Sequence, residues 1–380
     1  MRALVDYCQQ HETWLLDTIE ALVAIESPTD DKAAVDRCGA ELARRLTALG
    51  GAVRCLAAST AGDHLRAEFG RGRRQVLLLG HFDTVWPVGQ LADMPLSRRG
   101  NRLHGPGVLD MKAGIALGML ATRALFAVAP PTDCRVVMLW TTDEETGSGT
   151  SRALLETEAR NSDAVLVLEP ALPGGTLKTR RKGCGQYEII VHGEAAHAGV
   201  DPGKGVSAIR ELARHLLHIE TLQDLPRGIS VNAGVISGGT RPNVVAAEAR
   251  ATVDVRAPSQ ADAEDVDAAM RALTPYLSGA RVIVTGGFER PPMERTKGVA
   301  RLYALAQAVG AELGQTITEG STGGGSDGNF CAALGVPTLD GLGALGDGAH
   351  ARSEHVEIAS LTPRAALLAA LLSRLTLSPQ

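Results

Sequence analysis

Aromatic side chains are scarce, at 3% of the 380 residues. So few rings leave little with which to stack nucleobases, and a net charge of -5 gives no electrostatic footprint for nucleic acid. No Lys/Arg block suited to a membrane surface is present. Six cysteines (Cys8, Cys38, Cys55, Cys134, Cys184 and Cys331) are scattered, without a CxxC pair or regular spacing. Thiols of that kind read as small buried apolar residues in a reducing compartment. No charge-free apolar run reaches roughly 18 residues, so no membrane-spanning helix is expected. The start, MRALVDYCQQHETWLLDTIEALVAI, carries acids throughout and the apolar spacing of an amphipathic helix, not the build of a secretory signal. A cytoplasmic protein is the expectation.

What the sequence does have is room for two domains with good cores, and an apolar content of 44%. Up to about residue 178, helical and strand patterns alternate as in an α/β sheet flanked by helices. From about Arg180 the pattern changes to period-2 or apolar strand candidates, GQYEIIVHGE, GISVNAGVISGG, AEARATVDVRAP and ARVIVTGGF. Two amphipathic helix candidates, VSAIRELARHLLHIETL and SQADAEDVDAAMRALTPYL, accompany them. The expected architecture is therefore a catalytic α/β domain with a mixed, largely parallel sheet, in two parts (1–178 and 290–380). An α+β domain with an antiparallel sheet (179–289) is inserted between them.

Chemistry concentrates where apolar strands end. QVLLL runs into GHFDT (His81, Asp83), CRVVMLW into TTDEETGSG (Glu144, Glu145), and DAVLVL into Glu169 and Pro170. In open α/β sheets functional groups gather beyond the carboxyl ends of strands. Asp110 follows the glycine turn GPGV, and His350 follows the glycine-rich GALGDGA near the far end of the chain. Taken singly, each has an ordinary explanation: a strand-end His is usually a satisfied polar residue, an Asp or Glu a cap, and Glu-Glu surface charge. Three successive strand candidates that each end in a ligand type are not explained that way. Imidazole and carboxylate suit a pair of divalent ions, with a carboxylate such as Asp110 between them. Asp83, two residues from His81 on extended backbone, faces the same way and is suited to accept from its ring N–H. Adjacent Glu144 and Glu145 cannot both face one point from a regular strand. Glu145 is therefore read as a ligand and Glu144 as the proton carrier.

With these residues in hand, the chain strongly resembles the M20 metallopeptidase family over nearly its whole length, its motifs in the family's order. The resemblance implies two Zn2+ per subunit, with Co2+ or Mn2+ as substitutes. His81 and Glu169 would hold one ion, Glu145 and His350 the other, and Asp110 would bridge. Glu144 would be the general base and Asp83 would orient His81, with a cis peptide after Asp110. GEAAHAGVDPGKGVSAI implies that His197 reaches into a partner's active site, on a domain that serves as lid and dimerisation surface. RPNVV and TVDVRAP imply that Asn243 and Arg256 contact the substrate carboxylate or oxyanion. GGGSDGNF implies a loop at Gly324, Gly325 and Ser326 that lets backbone N–H groups approach a carboxylate. Without the family, His197 reads as a surface loop residue and the glycine run as a flexible loop. Lys178, Arg180, Arg181 and Lys182 are cationic candidates near the domain junction, better read as a solvated hinge.

The motif GGGSD resembles the glutamate carboxypeptidase branch more than the desuccinylases, and GPGVLDMKAG also suits that branch. The expectation is a homodimeric hydrolase that releases a C-terminal amino acid, glutamate foremost, from a small N-acyl or peptidyl substrate. An N-acyl-amino-acid deacylase of the acetylornithine or succinyl-diaminopimelate kind is the alternative. A catalytically silent binding module is a third reading, though it would need no general base.

Overall fold

The computed structural model describes residues 1–377. The chain forms two compact units, one of Met1–Thr179, Arg295–Ser321 and the residues from Ser326 onward, the other of Arg180–Glu294 with 322–325.

In the first unit the apolar runs become the strands Arg74–His81, Cys134–Thr141 and Ala164–Val167, almost entirely buried. Near-continuous apolar sequence belongs to strands covered on both faces, as in parallel sheets. They lie side by side in a six-stranded sheet ordered Ala52–Leu56, His64–Phe69, Cys134–Thr141, Arg74–His81, Ala164–Val167, Thr338–Leu339. The first two junctions are antiparallel and the other three parallel, so the sheet is mixed and largely parallel. Register decides where the acids emerge: His81 pairs with Thr141, and Leu79 with Val167. Glu144, Glu145 and Glu169 therefore leave the sheet at the same edge as His81.

Helix Ala113–Val128 is buried along most of its length and packs against helix Ile358–Leu377. Its small residues permit the approach. A Cβ on Gly114 would lie 2.0 Å from the Leu168 carbonyl oxygen, one residue before Glu169. Replacing Gly114 by alanine is expected to destabilise the fold by about 1–3 kcal/mol through overpacking, read as a lower urea midpoint. Segments Val108–Val128 and Ile358–Thr376 do reach the length and apolarity of a membrane span. A charge-free criterion passes over them because Lys112 and Arg123 interrupt the first, and Arg364 and Arg374 the second. Most of both is buried inside the protein.

A second, small sheet explains how the far end of the chain returns. Its strands run in the order Gly346–Asp347, His355–Glu357, Arg102–His104, Ser97–Arg99. The first two form a hairpin whose tip carries His350, and His355 pairs with His104, just ahead of the turn into Asp110.

The other unit is a four-stranded antiparallel sheet ordered Ser230–Gly238, Glu248–Ala257, Gly183–His192, Arg281–Arg290. Alternation is plain in its inner strands: Tyr187, Ile189 and Val191 are fully buried, as are Val253 and Val255. Helices Ala208–Glu220 and Gln260–Arg271 pack on it, their N-termini capped by Ser207 and Ser259, which accept from Arg210 N and Asp262 N.

Candidate metal centre

Beyond the carboxyl edge of the large sheet, two clusters form that share one residue: His81, Asp110 and Glu169, and Asp110, Glu145 and His350. Within each, one ligand atom per residue lies within 4.8 Å of the others. His81 Nε2 stands 3.1 Å from Asp110 Oδ1 and 3.6 Å from Glu169 Oε1. His350 Nε2 stands 3.4 Å from Asp110 Oδ2 and 3.2 Å from Glu145 Oε1. Each oxygen of Asp110 thus faces a different imidazole, the disposition a bridging carboxylate needs.

Asp110 is followed by a cis peptide to Met111, and His350 sits at φ +60° in the left-handed region. His81 is buried and its Nδ1 donates to the Asp83 carbonyl oxygen at 3.1 Å, with the Asp83 carboxylate Oδ1 next at 3.4 Å. The nearer acceptor is backbone, yet either holds the proton on Nδ1 and leaves Nε2 as the ligand atom. Asp83 Oδ2 accepts from Thr29 Oγ1 at 2.8 Å and from Glu145 N at 3.3 Å, which ties the first strand end to the second. Glu144 opens a short 3-10 turn, Glu144–Thr146, and is 8% exposed.

The charge balance fits divalent cations. Burial opposes charge on His81, but its hydrogen bonds with Asp110, Asp83 and Glu169 hold its pKa well above the usual imidazole value. Asp110 and Glu145 raise His350 to about 10. Burial acts to raise Asp110, yet His350 and His81 hold it below the carboxylate range; burial raises Glu145. The packed carboxylates favour positive charge here, which is what holds both imidazole pKa values up. An ion in each cluster would supply it instead, and the nitrogen-plus-oxygen donor set suits first-row divalent metals.

Residues 77–374 match the peptidase family M20/M25/M40. The chain belongs to this family. It is 33% identical over 369 residues to carboxypeptidase G2 of Pseudomonas sp. (strain RS-16), covering 94% of this chain and 88% of that one. To the succinyl-diaminopimelate desuccinylase of Xanthomonas campestris pv. campestris (strain 8004) it is 28% identical over 357 residues, 89% of this chain and 93% of the relative. The fold is that of aminopeptidase PepT from Bacillus cereus, with a TM-score of 0.80, 23% identity, and coverage of 96% and 98%. The protein is an M20 hydrolase of the metallopeptidase type.

The remaining candidates of this M20 chain lie mostly in its other unit. His197 is exposed, and its Nδ1 accepts from the N–H groups of Gly199 and Val200, both at 3.2 Å. Nδ1 being an acceptor, the proton of the neutral ring sits on Nε2. Asn243 is exposed beside it, its carbonyl accepting from Ala198 N at 2.9 Å. Arg256 is engaged within its unit: Nε and Nη2 donate to Asp254 at 2.9 and 2.7 Å, and Nη1 reaches Cys184 Sγ. Gly324 and Gly325 accept through their carbonyls from Arg181 Nη1 at 3.1 and 2.9 Å, so this arginine shapes the glycine turn. Ser326 is fully buried and its hydroxyl donates to Asp340 Oδ2 at 2.8 Å, which makes it an anchor of the loop.

Sequence reasoning missed Thr29 and Asp143. Asp143 Oδ2 accepts from Thr150 N, Thr150 Oγ1 and Ser151 N at 2.6, 2.7 and 3.2 Å, closing the turn that carries both glutamates. Its place beside Glu144 in TTDEETG was the available signal; Thr29 offered none.

Proposed function

We propose that this protein is a di-zinc amide hydrolase that releases a C-terminal amino acid, glutamate foremost, from an N-acyl or short peptidyl substrate. The observation that carries the reading is Asp110, shared by two ligand clusters with one oxygen towards each histidine. Bound zinc would polarise the scissile carbonyl and acidify the attacking water, with cobalt or manganese able to do the same. Glu144 takes the proton of that water and hands it to the departing nitrogen, so proton number balances over the cycle. Its burial keeps bulk water from competing for the transfer. His197 of a neighbouring subunit donates its Nε2–H to the oxyanion, and Asn243 and Arg256 hold the substrate carboxylate. For Arg256 this requires exchanging Asp254 for substrate. Arg256→Ala is expected to raise KM about tenfold or more, with a smaller change in kcat, measured by steady-state kinetics.

The proposed dimer rests on the strand Ser230–Gly238. It lies at the edge of its sheet with Val235 and Ile236 63% and 59% exposed. Apolar edge strands favour pairing with another copy. Val235→Asp combined with Ile236→Asp is expected to shift the solution mass from two chains to one in light scattering. It should also bring kcat down to that of His197→Ala. The thiols, none of them paired, support a reducing compartment such as the cytoplasm.

An N-acyl-amino-acid deacylase is the second reading, favoured by the likeness to the desuccinylase. Metal-reconstituted protein assayed on folate-like glutamates, dipeptides, acetylornithine and succinyl-diaminopimelate separates the two. Release of glutamate in preference to ornithine or diaminopimelate supports the first, and the reverse order refutes it.

A further inference from the structure

Four residues beyond His350 at the hairpin tip, Glu354 is wholly buried. Its Oε1 accepts from Leu109 N at 2.8 Å and Asp110 N at 3.1 Å. Its Oε2 accepts from Gly107 N at 2.9 Å and from the indole Nε1 of Trp86 at 2.8 Å. Four donors converge on two oxygens, a set that matches the acceptor capacity of a carboxylate and offsets the burial that pushes its pKa up.

The four donors belong to segments that frame the metal centre. Gly107, with φ +70°, begins the turn into the shared ligand, and Asp110 is that ligand. Trp86 lies three residues beyond Asp83, and Glu354 itself closes the loop of His350. One carboxylate therefore joins the backbone of the shared ligand to the hairpin that brings the second imidazole. We infer that Glu354 is a positioning residue for metal binding, holding Asp110 so that its two oxygens address both clusters at once. This rests on the two-metal reading above. Glu354 touches no ligand atom; its effect passes through the Asp110 main chain.

The test compares wild type, Glu354→Gln and Trp86→Phe, each stripped of metal and titrated with Co2+. Visible absorption, stoichiometry and folded fraction by circular dichroism are followed. Glutamine presents an NH2 group where only acceptors fit. Folded Glu354→Gln is expected to bind Co2+ about 10–100-fold more weakly, with an altered visible spectrum. Hydrolysis should show a lower kcat at nearly unchanged KM. Trp86→Phe removes one donor while sparing the Asp110 bond, and is expected to shift affinity and spectrum in the same direction by a smaller factor. Wild-type affinity and spectrum in folded Glu354→Gln would overturn the inference while leaving the metal centre intact. If Glu354→Gln does not fold, Trp86→Phe decides: a loss of stability with unchanged cobalt affinity and spectrum overturns it. Wild type that binds no Co2+ overturns the two-metal reading as well.

Discussion

Replacing Glu144 by alanine is expected to lower kcat by about a thousandfold or more while two metal ions per chain remain bound. Glu144 lies outside both ligand clusters, which are complete without it, so its loss leaves the donors in place. On the proposed mechanism, what disappears is the base that takes the water proton and the acid that protonates the leaving nitrogen, and each such function contributes about 10²–10⁴-fold. With one residue proposed for both, the two losses should not separate by pH. Metal analysis of the purified variant alongside steady-state kinetics checks the claim. Near-native kcat would remove Glu144 from its role, and loss of metal would make it a ligand.

Asp110→Asn should do the opposite: activity falls because both ions are lost. Each Asp110 oxygen faces one imidazole, so neutralising the group weakens both clusters together. Electrostatic stabilisation by the ions amounts to several kcal/mol, and its loss corresponds to a fall of about 10³–10⁴-fold in kcat. Glu145→Ala and Glu169→Ala provide the contrast, since each lies in one cluster alone. Each is expected to cost one ion where Asp110→Asn costs two, as measured by isothermal titration with zinc. Equal stoichiometry in all three variants would dissolve the notion of a shared ligand.

The convergence of His81, Glu145 and Glu169 was legible because apolar runs ending in acid or imidazole predict parallel strands, and parallel strands bring their carboxyl ends together. The mixed sheet and the antiparallel sheet were legible for a related reason, period-2 alternation in 183–192 and 248–257 against continuous apolar runs in 76–79 and 136–140. His350 was recognisable as a ligand type, but its route back was not. It depends on strands of two and three residues, Gly346–Asp347 and His355–Glu357, too short to show periodicity. Glu354 was invisible for another reason: three of its four partners are backbone N–H groups, which no side-chain pattern records. Ser326 illustrates the converse, since a serine in a glycine run reads as a binding loop, whereas burial turns its hydroxyl inward to Asp340. Arg256 was named for substrate, and its fork lies on Asp254. Sequence identifies a guanidinium suited to carboxylate, but which carboxylate it meets is decided by the fold.

The most direct measurement is an anomalous difference map from crystals of the zinc-loaded protein, with data collected on either side of the zinc absorption edge. Two peaks are predicted, one within reach of His81, Asp110 and Glu169 and the other of Asp110, Glu145 and His350, with Asp110 common to both. A single peak, or two peaks that do not share Asp110, would contradict the account.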